Sequence, residues 1–243
     1  MRDVVVGAPP ALDAPPLAGL GRLGPALRWL AAVQGAWPPY VPSVVRRVVL
    51  DDTGDTGSAF AQGAALADEL ADSGVQLVVV SSTADPVAGV VLSAALLDLE
   101  PVHAVGTSAG PDWAALTVGV RDGLRAARAH DRDPVGLLAA SASPGLGRVT
   151  GLLAQSAARR RPVLLDGSPL VCGAALAAEH LAPGAAAWWL AGQEPPNPAA
   201  RRALSSLRLT PLLDLDLALP LGGDLALSVL EQAVRFVADD PPG

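Results

Sequence analysis

RPVLLDG (Arg161–Gly167), AWWLAG (Ala187–Gly192) and TPLLDLDLALPLGGDLAL (Thr210–Leu227) decide the fold of this chain. Each is a short apolar run that ends in Gly or Asp, and helical segments separate them. Strands buried on both faces of a parallel sheet read as continuous apolar runs, and their loops begin where the run stops. Upstream, SVVRRVVL (Ser43–Leu50) is β-branched and empties into the turn-rich DDTGDTG, while VQLVVVSS (Val75–Ser82) is the clearest strand. VHAVG (Val102–Gly106) reads as a brief apolar strand before another helix.

Helical spacing fills the intervals. Leu20, Leu23, Leu27, Leu30 and Ala31 mark an amphipathic helix in Leu17–Gly35. A second helix runs over Ser58–Gly74, with Ser58 as N-cap and Gly74 as stop. Others follow over Pro86–Leu97, over roughly Pro111–His130 and ahead of Arg159. About five strands interleaved with helices predict an α/β fold, a mostly parallel Rossmann-like sheet with helices on both faces. No repeat and no linker divides the chain. Residues 1–243 are therefore expected to form one domain, with 1–42 as an extended and helical arm and 43–238 as the core.

Composition excludes several functions. The 243 residues carry a net charge of −7 and no lysine, so no lysine base, Schiff base or phosphate clamp is available. Nucleic-acid binding needs a basic surface, and the one dense basic run, Arg159–Arg161, suits a helix C-terminus. A single cysteine, Cys172, excludes an internal disulfide, suits a reducing compartment and reads as a buried structural thiol. No apolar run reaches the length of a membrane span or a signal peptide, so a cytoplasmic location without membrane attachment is expected. Three scattered histidines form no metal-ligand set, no nucleotide-binding glycine fingerprint follows a strand, and no cofactor is expected.

Three motifs suggest other chemistry. DDTGDTG (Asp51–Gly57) holds two Asp-Thr-Gly copies, but an aspartic protease needs two such loops facing each other so that the carboxylates share a proton. A polar turn is the simpler reading. GTSAG (Gly106–Gly110) matches a nucleophile elbow at Ser108, with Asp166 and His180 following in hydrolase order; no oxyanion loop precedes it. Asp214 and Asp216 resemble a phosphatase pair but stand on the last strand, not the first.

Most of the chain resembles the nicotinate-nucleotide:dimethylbenzimidazole phosphoribosyltransferases, which make the lower-ligand nucleotide of cobalamin. PPLAGLGRLGPALRWLAAVQG looks like that family's Pro-Pro-Gly-Ser-Leu-Gly-Arg-Leu-Glu helix. PVLLDGSPLVCGAALAA fits its Pro-Val-Val-Leu-Asp-Gly strand and helix, and PLLDLDLALPLGGDLAL its Pro-Leu-Leu-Asp-Leu-x-Met-Arg-Leu-Gly-Glu-Gly-Thr-Gly. A segment is missing after DDTGDTG, in a region that in the family supplies part of the benzimidazole pocket. The resemblance implies a site at Ser82, Thr83, Asp85, Gly106, Thr107, Ser108, Gly167, Gly222 and Gly223. Its implied ligands are nicotinate mononucleotide and a benzimidazole-like base. Its implied partners are a second copy, as a homodimer, or a full-length family member, as a heteromer.

The departures fall on the family's chemistry. Its Gly-Ile-Gly-Asn-Thr-Thr loop becomes STADPV (Ser82–Val87), and Asp85 would repel phosphate. Gly145 takes a glutamate position, Gly119 lies near a lysine position, and AGQEPPNP replaces a polar Ala-Gly-His-Arg-Ser cluster. The family's catalytic glutamate accepts the benzimidazole proton while the ring nitrogen attacks ribose C1 and nicotinate leaves. Leu221 stands at that position, and a two-residue shift would place Gly223 there with Asp224 beside it as a substitute. Losing a positioned base costs about 10²–10⁴-fold. A divergent, catalytically impaired member is the expectation. A working transferase using Asp224, Asp85 or Asp51–Asp55 as base is the alternative, and a serine hydrolase using Ser108 is the reading from another class.

Overall fold

The computed structural model describes residues 5–15, 17, 19–107, 112–217 and 219–239. Four strands form one parallel sheet in the order β1-β2-β3-β4. They are β1 (Val45–Leu50), β2 (Leu77–Ser82), β3 (Val163–Leu165) and β4 (Trp189–Ala191). Among the described residues ten α-helices accompany them: α1 (Leu23–Gln34), α2 (Thr56–Asp72), α3 (Pro86–Leu97), α4 (Pro101–Val105), α5 (Trp113–Ala127), α6 (Pro134–Ala140), α7 (Pro144–Ala158), α8 (Pro169–Leu181), α9 (Pro198–Ser206) and α10 (Gly222–Asp239).

The two-residue period of the strands builds two cores. Val78, Val80, Val163 and Leu165 point into a layer formed with α2, α3, α7, α8 and α9. Leu77, Val79 and Leu164 point the other way, onto α1 and α10. Consecutive strand order with every crossover on one face is what same-handed parallel connections produce. The first and last helices are thereby left to cover the opposite face.

The α2–α7 pair is the closest helix contact, and small residues make it so. A Cβ on Gly63 would lie 2.0 Å from the Arg148 carbonyl oxygen, and one on Gly151 would lie 2.1 Å from that of Phe60. Backbone meets backbone there, and Ala59 and Ala67 fill what remains.

The sheet has four strands where about five are expected. VHAVG is helical, because Pro101 presets the first helical turn and Gly106 ends it at a φ of 75°. PLLDLD contributes a single parallel bridge, Gln193↔Leu213, and no strand. The chain turns away from the sheet there, and Asp216 takes a left-handed φ of 53°. At α2 the N-cap is Asp55, not Ser58. Arg159, at the expected helix C-terminus, caps α7 and pairs with Asp68 and Asp72. Among the described residues, no helix is long and apolar enough to cross a membrane.

Candidate functional site

A parallel sheet delivers all its strand ends to one edge, where loops rather than packed side chains meet. Here the carboxyl edge gathers Asp51–Asp55, Thr83–Asp85, Asp166–Ser168 and Gly192–Glu194, with the start of α10 against the last two.

The β1–β2 half is organised by Asp52. Its Oδ2 accepts from the Asp85 backbone N–H at 2.9 Å. Its Oδ1 accepts from Ser143 Oγ at 2.6 Å and from the Gly145 N–H at 3.1 Å. One carboxylate thus joins the β1 loop, the β2 loop and the N-terminus of α7. Gly145 is pressed into the same knot, where a Cβ would meet Ala84 Cβ and the Asp51 carbonyl oxygen, each at 2.7 Å. No side chain fits, so the glutamate that the family resemblance expects at 145 has no room.

The other polar groups of this half serve the backbone. Asp85 caps α3, accepting from the Val87 N–H at 2.9 Å. Ser82 Oγ donates to the Leu50 carbonyl at 2.7 Å, and the Thr83 N–H donates to the same oxygen. The hydroxyl and N–H of Thr53, with Arg148 behind them, hold the Asp51 carboxyl below its ordinary range. Hydrogen bonds from Ser58 do the same for Asp55. DDTGDTG is a set of caps and turns at one edge of a helix-covered sheet, and no second such loop faces it among the described residues.

The β3–β4 half is organised by Asp166 and Gln193. Asp166 is almost wholly buried; one oxygen accepts from the Ser168 N–H at 2.9 Å and the other has no partner. Burial pushes its carboxyl up to about 6, against the pull of the Ser168 hydrogen bonds. Gly167 follows with φ 86°, and a Cβ there would strike the Gln193 carbonyl oxygen at 2.7 Å. Gln193 is fully buried and holds Leu217 at both ends, donating from Nε2 to its carbonyl and accepting its N–H at Oε1. Gly222 closes the edge: a Cβ would lie 2.4 Å from the Asp166 carbonyl oxygen and 2.5 Å from Gln193 Cγ. Gly223 packs on Val79 in the same way.

Of the residues proposed from sequence, Ser82, Thr83 and Asp85 share the β2 loop, while Gly167, Gly222 and Gly223 share the β3–β4 knot. Gly106 lies apart, against Pro198 at the start of α9, and Thr107 beside it is exposed. Ser108 lies outside the described residues. Asp166 and His180 flank opposite ends of α8, about 17 Å of helix apart, and the His180 ring is bonded to the Leu176 carbonyl. The structure therefore does not join that pair into a triad. The side chain of Leu221 is half exposed, and Asp224 forms an ion pair with Arg47 of β1. Cys172 is buried, and burial raises its thiol.

Two clefts open beside the edge, not on it. One of about 380 Å³ is lined by Phe60, Leu138, Ser143 and Gly147. A smaller one of about 160 Å³ runs between α3 and α5 past Asp85, Val91, Gly119 and Gly123. Among the described residues no group of His, Cys, Asp or Glu is placed to hold a metal ion. Asp52 enters the sequence reading only within Asp51–Asp55, as a candidate base and not as a hub, and Gln193 does not enter it as a clamp. Their signal is position alone, each the second polar-loop residue after a strand.

Residues 52–240 match a family model described as Phosphoribosyltransferase. A nicotinate-nucleotide--dimethylbenzimidazole phosphoribosyltransferase of Mycobacterium avium (strain 104) is 44% identical over 191 residues, which cover 76% of this chain and 54% of that protein. The one from Mycobacterium leprae (strain TN) is 37% identical over 261 residues, covering 96% and 74%. This chain thus spans about half the length of the first relative and three quarters of the second. The crystal structure of CobT from Thermus thermophilus superposes with a TM-score of 0.77 over 92% of each chain at 22% identity, a likeness of fold.

Proposed function

The chain belongs to the nicotinate-nucleotide:dimethylbenzimidazole phosphoribosyltransferase family, and on that premise we propose that it is a catalytically impaired member tied to cobalamin nucleotide-loop assembly. Its ligands would be nicotinate mononucleotide or a benzimidazole-like base, bound in the cytoplasm by one α/β unit comprising an arm (1–42) and a core (43–238).

One observation carries this reading. The N-terminus of α3 is where the β2 loop would present backbone amides to a phosphate. Asp85 already caps that terminus, and Asp52 accepts the Asp85 N–H beside it. Two carboxylates occupy the place of an anion, and they oppose a third negative group there. The base position is equally altered, since Leu221 carries no proton acceptor and Gly222–Gly223 are packed on Asp166 and Val79 without room for a side chain.

The test is to incubate the pure protein with nicotinate mononucleotide and dimethylbenzimidazole, following nicotinate release and ligand binding by calorimetry. No nicotinate release is expected, with nicotinate mononucleotide binding weakly at most and the uncharged base binding without turnover. Release at the rate of a full-length relative overturns the proposal.

An active transferase is the second reading, and Asp166 favours it. A carboxyl raised to about 6 at the carboxyl edge is suited to accepting a proton near neutral pH. If release is seen and Asp166→Asn abolishes it while Asp224→Asn does not, this reading replaces the first.

A further inference from the structure

Helices α3 and α5 face each other through residues one turn apart. On α5 these are Gly119 and Gly123, and on α3 they are Val87 and Val91. At Gly123 the helices touch, since a Cβ there would lie 2.6 Å from Val91 Cγ2. At Gly119 they stand apart, and a Cβ would meet only Val87 Cγ1, at 3.7 Å. The side chain that glycine lacks leaves the cleft of about 160 Å³, which is backed by the buried Leu92 and Leu137. The lining is otherwise mostly valine and alanine, and it carries one charged side chain, Asp85.

That carboxylate is only half used. One oxygen accepts from the Val87 N–H to cap α3, and the other has no hydrogen-bond partner among the described residues. The last turn of α6 reaches the same cleft through Ala140 and Ser141, and a helix C-terminus carries partial negative charge. Among the described residues the Ala140 carbonyl accepts no hydrogen bond, and no arginine or histidine lines the cleft.

An apolar slot with an uncompensated carboxylate selects its occupant by exclusion. Asp85 repels an anion. A divalent metal ion needs several oxygen ligands, and one carboxylate does not supply them. An uncharged apolar molecule leaves the carboxylate unpaired. A cation on an alkyl chain satisfies both parts of the cleft, as a lysine does when its stem lies on apolar surface and its ammonium stays among polar groups. The chain has no lysine of its own, so such a group comes from outside it.

We propose that the α3–α5 cleft is a binding site for a small primary alkylamine, with the ammonium donating to the unused Asp85 oxygen and the chain lying between Val87, Val91 and Leu137. An ammonium seated there neutralises one of the two carboxylates at the start of α3, so occupancy lowers the negative charge at the edge of the candidate site. The site is independent of whether the chain turns over substrate.

Calorimetric titration of the full chain with n-hexylamine at pH 7.5, where an alkylamine is charged, tests it. Saturable binding at one site is expected, with n-hexanol weaker by at least about tenfold because it lacks the charged hydrogen bond. The shorter n-butylamine should also bind about tenfold more weakly, for the methylenes it no longer buries. Asp85→Asn keeps the α3 cap and should bring the amine down to the affinity of the alcohol. Gly119→Leu has room for its Cβ and improves helix propensity, so it should melt no lower than the parent while abolishing binding of both compounds. Absence of saturable binding, equal affinity for amine and alcohol, or amine binding that survives unchanged in Asp85→Asn or Gly119→Leu overturns the proposal.

Discussion

The backbone N–H of Asp85 donates to the carboxylate of Asp52 across 2.9 Å, tying the loop after β2 to the loop after β1. The same carboxylate holds Ser143 and Gly145 at the start of α7. Removing it frees three donors at once, and hydrogen bonds to a charged acceptor contribute about 1.5–3 kcal/mol each when sheltered. Solvent reaches this loop, so the total is smaller. Asp52→Ala is expected to cost about 1–3 kcal/mol in urea unfolding, and Asp52→Asn less. An unchanged midpoint for Asp52→Ala would show that water replaces these bonds at no cost.

The α2–α7 crossing makes a separate stability prediction. With the Arg148 carbonyl 2.0 Å from where a Cβ would stand on Gly63, the helices must move apart to admit one methyl group. Ala is the better helix former, which gains about 1 kcal/mol, but forcing apart two packed backbones costs more. Gly63→Ala should lower stability by about 2–3 kcal/mol. Gly74→Ala is no proper control because its φ is positive; Gln62→Ala on the same helix is, and it should stay near wild type.

The proposed loss of the catalytic base can be tested in both registers of the last loop. Leu221 points partly into solvent, so Leu221→Glu should fold like the parent by circular dichroism and thermal melting. Gly223→Glu would drive a side chain into Val79, and Gly222→Ala into the Asp166 carbonyl; both should melt well below the parent. Only Leu221→Glu can therefore test whether a carboxylate restores nicotinate release. Normal folding of Gly223→Glu would contradict the packing described for the knot.

Much of this architecture is legible in the chain, and the misreadings have physical causes. VQLVVVSS reads as a strand because buried β-branched runs admit few other structures. Pro86–Leu97 is bounded as a helix because Asp-Pro opens one and Asp98 tolerates the left-handed cap. VHAVG has the composition of a strand although Pro101 and Gly106 flank it as helix punctuation; five residues are too few for periodicity to outweigh composition. Leu-Asp alternation in PLLDLD suits a strand with one wet face, yet pairing with the sheet stops at Leu213. The Asp52 and Gln193 knots cannot be read at all. They join segments about 90 and 24 residues apart, and no local pattern records a contact of that range.

Gln193 clamps Leu217 by two hydrogen bonds from inside the protein, so its loss leaves a backbone N–H and a carbonyl without partners. Gln193→Leu should cost about 2–3 kcal/mol and speed amide exchange at Leu217 and its neighbours more than in β2. Uniform protection across the chain would refute the clamp.

Asp166 sets a pH dependence whose sign can be worked out. In the unfolded chain an aspartate titrates near 3.9, and in the folded protein this one titrates at about 6. Between those values the native state holds the proton that the unfolded state has lost, so stability falls as pH rises. The contribution is fully present below about pH 4 and is gone above about pH 6, and a shift of this size corresponds to about 2–3 kcal/mol. Asp51 and Asp55, whose carboxyls are lowered, act in the opposite sense, losing their stabilisation as pH falls through their folded values. Comparing wild type with Asp166→Asn cancels those common terms. Urea midpoints measured from pH 4.5 to 7.5 should converge with the variant's, or drop below them, as pH rises, because the variant has no buried charge to create. Parallel curves for the two proteins would mean that Asp166 ionises in the fold as freely as in water.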